Sequence, residues 1–174
     1  EIAIKWMTSK LNDDLTKINT SYNKFRISEA LMISYKLIWD EFCSWYLEMI
    51  KPEYKQPIDS KTYDETILIF DNLLKIIHPF TPFISEEIWH LIRNRENKDC
   101  IITAEWPTSS KADEKLLHEF NVFENTITEI RNIRKKHKIG NKISLDLWIK
   151  ENQPSNRTFD LVLIKMANLS SLNY

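Results

Sequence analysis

A single glycine, Gly140, occurs in the 174 residues of the chain. Tight turns use glycine wherever the backbone must take a positive φ, so sheet proteins rich in hairpins need far more of it. The chain is therefore expected to fold as long helices joined by polar or proline-containing links. Its length suits one domain, or one domain with a small appendage, and allows a real core.

The spacing of apolar residues agrees. Ile4, Met7, Leu11, Leu15, Ile18, Tyr22 and Phe25 recur at steps of three and four, which puts them on one face of a first helix. Ser28 is a good N-cap for a second helix, with Leu31, Tyr35, Ile38, Phe42, Trp45 and Met49 as its stripe. Met32, Trp39 and Tyr46 form a second stripe, so this helix is expected to pack on two sides, with Trp39 and Trp45 in the core. Pro52 and Pro57 end it. A third helix runs from about Ser60 to Ile77 through Tyr63, Ile67, Phe70 and Leu74.

The stretch "IIHPFTPFISEEIW", Ile76 to Trp89, then breaks an apolar run with two prolines. Pro79 disfavours helix at His78. Thr81 caps a new helix, and Pro82 fits its first turn, where no amide partner is needed. A buried corner is expected, with Phe80 and Phe83 inside it. Ile84, Ile88 and Leu91 should face inward along a fourth helix ending near Arg93.

"RNRENKDC" reads as an exposed charged link and "IITAEWP" as a short extended piece. A fifth helix spans roughly Asp113 to His137, with Leu116, Phe120, Phe123, Ile127 and Ile130 as its stripe. After Gly140 the period becomes two: Ile143, Leu145, Leu147 and Ile149 alternate with Ser144, Asp146, Trp148 and Lys150, as in a strand. Residues 157–167 read as helix and "LSSLNY" as a second strand. The expected fold is mainly α, an antiparallel helical bundle over residues 1–138. A small α+β appendage over 139–174 follows, truncated at its C-terminus.

Net charge is −1, so any binding to nucleic acid or membrane must rest on a local patch. The two cysteines, Cys43 and Cys100, make neither a metal spacing nor a disulfide framework. Cys43, set among aromatics, is expected to be a buried thiol in a reducing cytoplasm. No signal peptide or membrane-spanning run is visible. The chain opens in mid-helix pattern and ends abruptly, which reads as a piece of a larger protein.

No glycine-rich phosphate loop is present, and His78, His90, His118 and His137 lie far apart without metal-ligand spacing. Asp13–Asp14 and Glu86–Glu87 are adjacent pairs. Helical neighbours point about 100° apart, so neither pair makes an acid/base couple. Catalysis has no candidate. The basic run "RNIRKKHK", Arg131 to Lys138, is the main charged feature. Its plainest reading is a solvated helix end whose cations complement the dipole; its functional reading is a phosphate-contacting patch. Arg26, between Phe25 and Ile27 at the first helix–helix turn, could stack with an aromatic on an unpaired base, or simply fill the turn.

The segments "FRISEALMISYKLIWDEFCSWYLEMIKP", "LLKIIHPFTPFISEEIW", "EWP" and "EIRNIRKKHKI" follow in the order seen in valyl-tRNA synthetases. Over nearly the whole chain they resemble the C-terminal anticodon-binding region of that class I family. "WDEFCSWYLEMIKP" is the most specific part, since leucyl and isoleucyl families share the proline corner and a looser "WY" pattern. An anticodon-binding domain of one of those sister families, or a helical protein-interaction module, stands as the alternative.

The resemblance implies a piece of a valine–tRNA ligase that binds tRNA(Val) and does not catalyse, since the family's HIGH and KMSKS motifs do not occur. It implies no cofactor here, ATP and Mg belonging to the parent enzyme. The implied partners are tRNA(Val) and the parent's catalytic domain, with no membrane and no DNA. Matched by position, it implies anticodon contacts from Lys10, Asn19, Arg26, Ile27, Glu86 and Glu87. Some family members place an aromatic where Ile27 stands. It also turns Arg131, Arg134, Lys135 and Lys138 toward the RNA backbone.

Overall fold

The computed structural model of the protein describes residues 1–96, 98–150 and 157–174. The chain divides into two compact units, one covering Ala3–Ala112 and the other Asp113–Tyr174.

In the first unit, α1 (Ile2–Asn23) buries Trp6, Met7, Leu11, Leu15 and Ile18. It stops before Phe25, which was expected on the buried stripe but is 89% exposed. The stop is a Schellman closure. Phe25 takes the left-handed conformation at φ 57, its N–H donates to the Tyr22 carbonyl at 2.9 Å, and the Arg26 N–H donates to the Ser21 carbonyl at 2.8 Å. Glycine usually fills that position; here an aromatic does.

The next rod begins at Ile27, with Arg26 rather than Ser28 as its N-cap. It is α-helical over α2 (Ile27–Lys36), π-helical over Leu37–Tyr46, and α-helical again over α3 (Leu47–Ile50). That winding overturns the first half of the expected stripe and keeps the second, Phe42, Trp45 and Met49, inside. Ala30, Ser34 and Leu37 are buried, then a step of five leads to Phe42, and Trp45, Tyr46 and Met49 follow inward. Leu31, Tyr35 and Met32 are therefore exposed, and so is Trp39 at 59%. Of the second stripe only Tyr46 is buried, so the expected packing on two sides is absent within the described residues. Cys43 lies on the exposed side too, and both cysteines are free.

Helix α4 (Ser60–Ile77) starts on Asp59, whose carboxylate accepts the Thr62 N–H at 2.9 Å. It packs on α2 and on α5 (Pro82–Leu91). The inward residues of α5 are Ser85 and Trp89, while Ile84 and Leu91, expected inside, are exposed. Leu74, Trp89 and Ile101 share a small buried cluster. The expected extended piece begins instead as a 3-10 turn, Ile101–Thr103. Nor is the charged link wholly exposed. Arg95 lies 3.6 Å over the Trp89 ring and pairs with Asp71 at 2.6 Å, and Asp71 also accepts the Trp89 indole N–H at 2.9 Å. Asn97 of that link lies outside the described residues.

In the second unit, α6 (Glu114–Lys136) starts on Asp113 and buries the expected stripe of Leu116, Phe120, Phe123, Ile127 and Ile130. Strand β1 (Leu145–Trp148), helix α7 (Asp160–Ala167) and strand β2 (Leu169–Asn173) follow, and the two strands pair in parallel. Phe159 packs against Phe120 and Phe123. The chain is thus mainly helical, with a small two-stranded sheet near its end.

Candidate functional site

The turn after α1 presents three exposed residues in a row, Phe25, Arg26 and Ile27. Among the described residues Arg26 pairs only with Glu29, at a long 3.5 Å, which leaves most of its donors to solvent. A flat guanidinium beside an aromatic ring is a combination that stacks on and hydrogen-bonds to an unpaired base. Phe25 holds a backbone conformation that bulky residues seldom adopt, and such outliers gather at functional sites.

The proline corner lies beside the last turn of α1. Tyr22 stacks on Phe80 at 6.4 Å and meets Trp106 edge-on at 5.9 Å, while the Trp106 indole N–H donates to Asn19 at 3.0 Å. The Tyr22 hydroxyl is buried without a hydrogen-bond partner among the described residues, and burial pushes its pKa up. His78 closes the corner through a 2.8 Å bond between its Nδ1 and the Ser85 hydroxyl. Phe83 corrects the expectation of a buried pair: it is 90% exposed at the start of α5, while Phe80 is half-buried.

The remaining candidates in this unit separate into engaged and open side chains. Lys10 is paired with Asp14 at 3.3 Å and Glu41 at 3.5 Å. Asn19 holds Trp106. Glu86 accepts the Ile101 N–H on both oxygens, at 3.2 and 3.0 Å, and pairs with His90 at 3.2 Å. Glu87 is exposed on the same helix and has no partner among the described residues. Lys10, Asn19 and Glu86 therefore brace the surface, while Arg26, Ile27 and Glu87 face outward. Phe25 and Phe83 join the outward group. Their signals in sequence were a flanking arginine and a preceding helix-starting proline.

In the second unit, the basic end of α6 closes with the same device. Lys138 takes φ 54, its N–H donates to the Lys135 carbonyl, and the Ile139 N–H donates to the Arg134 carbonyl at 2.9 Å. Arg131, Lys135 and Lys138 are exposed. Arg134 is not; it is 4% exposed and donates to the carbonyls of Gly140 (3.2 Å), Ile143 (2.8 Å), Ala167 (2.8 Å) and Asn168 (3.2 Å). The expected phosphate contact through Arg134 is corrected on that ground, because four protein carbonyls hold its guanidinium. Among the described residues no cluster of three His, Cys, Asp or Glu could hold a metal ion, and no helix is long and apolar enough to cross a membrane.

Residues 4–149 match the sequence profile described as the anticodon-binding domain of tRNA ligase. The valine–tRNA ligase of Christiangramia forsetii is 44% identical over 174 residues, which is all of this chain and 20% of that protein. That of Parabacteroides distasonis is 42% identical over 172 residues, 99% of this chain and 20% of that protein. The Bacillus licheniformis valine–tRNA ligase is 34% identical over 165 residues, 88% of this chain and 18% of that protein. The chain spans about a fifth of the length of these curated relatives.

Proposed function

The chain belongs to the anticodon-binding domain family of tRNA ligases, and from that premise we propose that it holds the anticodon loop of tRNA(Val) for a valine–tRNA ligase. The parent enzyme would act in the cytoplasm, with its catalytic domain supplying the ATP- and Mg-dependent ligation. This chain contributes binding and no catalytic group.

The observation that carries the reading is the outward turn Phe25–Arg26–Ile27, strained at Phe25 and open at Arg26. Phe25, Arg26 and Ile27 take up bases, and Glu87 accepts from a base edge, with Lys10, Asn19 and Glu86 positioning that surface. Arg131, Lys135 and Lys138 supply phosphate contacts, which fix register but carry no base information. The unit Ala3–Ala112 supplies the base contacts and the unit Asp113–Tyr174 the phosphate contacts, so α6 groups with the appendage expected over 139–174 rather than with the helices before it.

The test is anticodon dependence. The chain should bind tRNA(Val) more tightly than the same tRNA with a substituted anticodon, measured by fluorescence anisotropy at fixed salt. Equal affinity for the two would overturn the reading.

A further inference from the structure

The second unit contains a cavity of about 380 Å³ between the basic end of α6 and the α7–β2 junction. Arg131, Arg134 and Lys135 line it, with Ile139, Met166 and Asn168 opposite. No acidic residue lines it among the described residues. Arg134 is buried and, among the described residues, bonds to neutral carbonyls and to no carboxylate. The carbonyl-rich end of α7 and two carbonyls of the loop between α6 and β1 hold this cation in place. They leave it formally unneutralised in a poorly solvated wall, where its field is screened less than that of a surface charge.

We propose that this cavity is a seat for one phosphate group of an RNA backbone. Arg134 supplies fixed positive charge from the wall, while Arg131 and Lys135, both exposed at the mouth, supply the donors. A planar guanidinium and a mobile ammonium four residues apart on one helix face can take two oxygens of the same phosphate. The proposal rests on the tRNA-binding reading and narrows it. The basic run has one defined phosphate position, set by the cavity, rather than a uniform cationic field.

Two double variants with equal charge loss test this. Arg131→Gln with Lys135→Gln removes the cavity donors. Lys136→Gln with Lys142→Gln removes two exposed cations that do not line the cavity. In a salt series with tRNA(Val), the first pair should weaken binding about tenfold at fixed salt and flatten the salt slope by roughly one unit, the share of the single seated phosphate. The second pair should do markedly less.

Tripolyphosphate is the small probe. It should raise the melting temperature of the parent chain and of the Lys136/Lys142 variant by a few degrees, and leave the Arg131/Lys135 variant unmoved. Equal effects of the two doubles on tRNA and tripolyphosphate would overturn the seat in favour of a diffuse field. Tripolyphosphate binding through Arg131 and Lys135 without a matching loss for tRNA would make the cavity a site for free phosphate, and so overturn the RNA assignment. Anticodon-dependent tRNA binding that ignores both Arg131 and Lys135 would sink this inference alone and leave the function standing.

Discussion

The end of α1 and the end of α6 are closed by the same backbone device and carry opposite payloads. Each helix stops on a left-handed residue that is not glycine, Phe25 at φ 57 and Lys138 at φ 54. At the first, the neighbours are aromatic and apolar around a single loosely paired arginine. At the second they are cations, and the most central of them, Arg134, is turned inward. The contrast separates two kinds of RNA contact on physical grounds. A ring and a guanidinium can read a base, whereas lysines and arginines without aromatic company attract a phosphate chain.

The largest expected effect breaks the second surface. Arg134→Ala would leave four carbonyls without their donor, and the unit should lose about 3 kcal/mol or more of stability. Chemical denaturation measures it, with Arg134→Lys recovering only part. Unchanged stability with weaker tRNA binding would return Arg134 to the RNA surface and blur the contrast.

Next come the base readers. Phe25→Ala and Arg26→Ala should each cost about 1–3 kcal/mol in affinity for tRNA(Val). Phe25→Ala should leave the salt slope unchanged, while Arg26→Ala moves it by less than the Arg131/Lys135 pair does. If both variants act only through the slope, the turn is another phosphate site.

A smaller effect sharpens the comparison. Phe25→Gly should stabilise the protein by about 1 kcal/mol, because glycine enters the left-handed region without steric cost. It should weaken tRNA binding as much as Phe25→Ala does. A thermal melt and a binding curve on the same preparation decide it. Loss of stability would mean that the ring is structural and the turn is no strained platform.

The smallest concerns Cys43, which is exposed although enough protein surrounds its sulfur for desolvation to push the thiol's pKa up. Less thiolate is then present at neutral pH than for a free peptide thiol. Labelling should be slow at pH 7 and climb with pH beyond the usual thiol range. The folded state favours the neutral thiol, so stability should be full below the unfolded value and decline as pH passes it. Fast labelling at pH 7 would contradict the raised value.

Much of this was legible in the chain. The α6 stripe from Leu116 to Ile130 follows a plain 3.6 period and is buried as read. Pro79 and Pro82 marked their corner because proline acts on the backbone directly. The ends of α6 and α7 were read from the pattern, but the stop before Phe25 was hidden, because Phe25 takes a left-handed conformation with no glycine to announce it. The roles of Glu86 and Arg134 were hidden for another reason. Their partners, the Ile101 amide and the carbonyls near residues 140 and 168, are backbone groups, and backbone groups leave no mark in a sequence.

The π-wound stretch Leu37–Tyr46 acts on its rod as a phase shift. Each residue of an α-helix advances the side chains by about 100°, and a wider turn absorbs one more residue before the face comes round again. The extra residue moves Phe42, Trp45 and Met49 onto the line begun by Ala30, Ser34 and Leu37, and it leaves the Tyr35–Trp39 stack pointing away. Ordinary α winding over the same residues would rotate everything downstream by about a quarter turn, so that the buried aromatics and the exposed ones would compete for the same wall. Deleting one residue from the stretch and relaxing to that winding would cancel the rotation and keep Phe42, Trp45 and Met49 on the buried line. Winding and length in this segment are set together by phase.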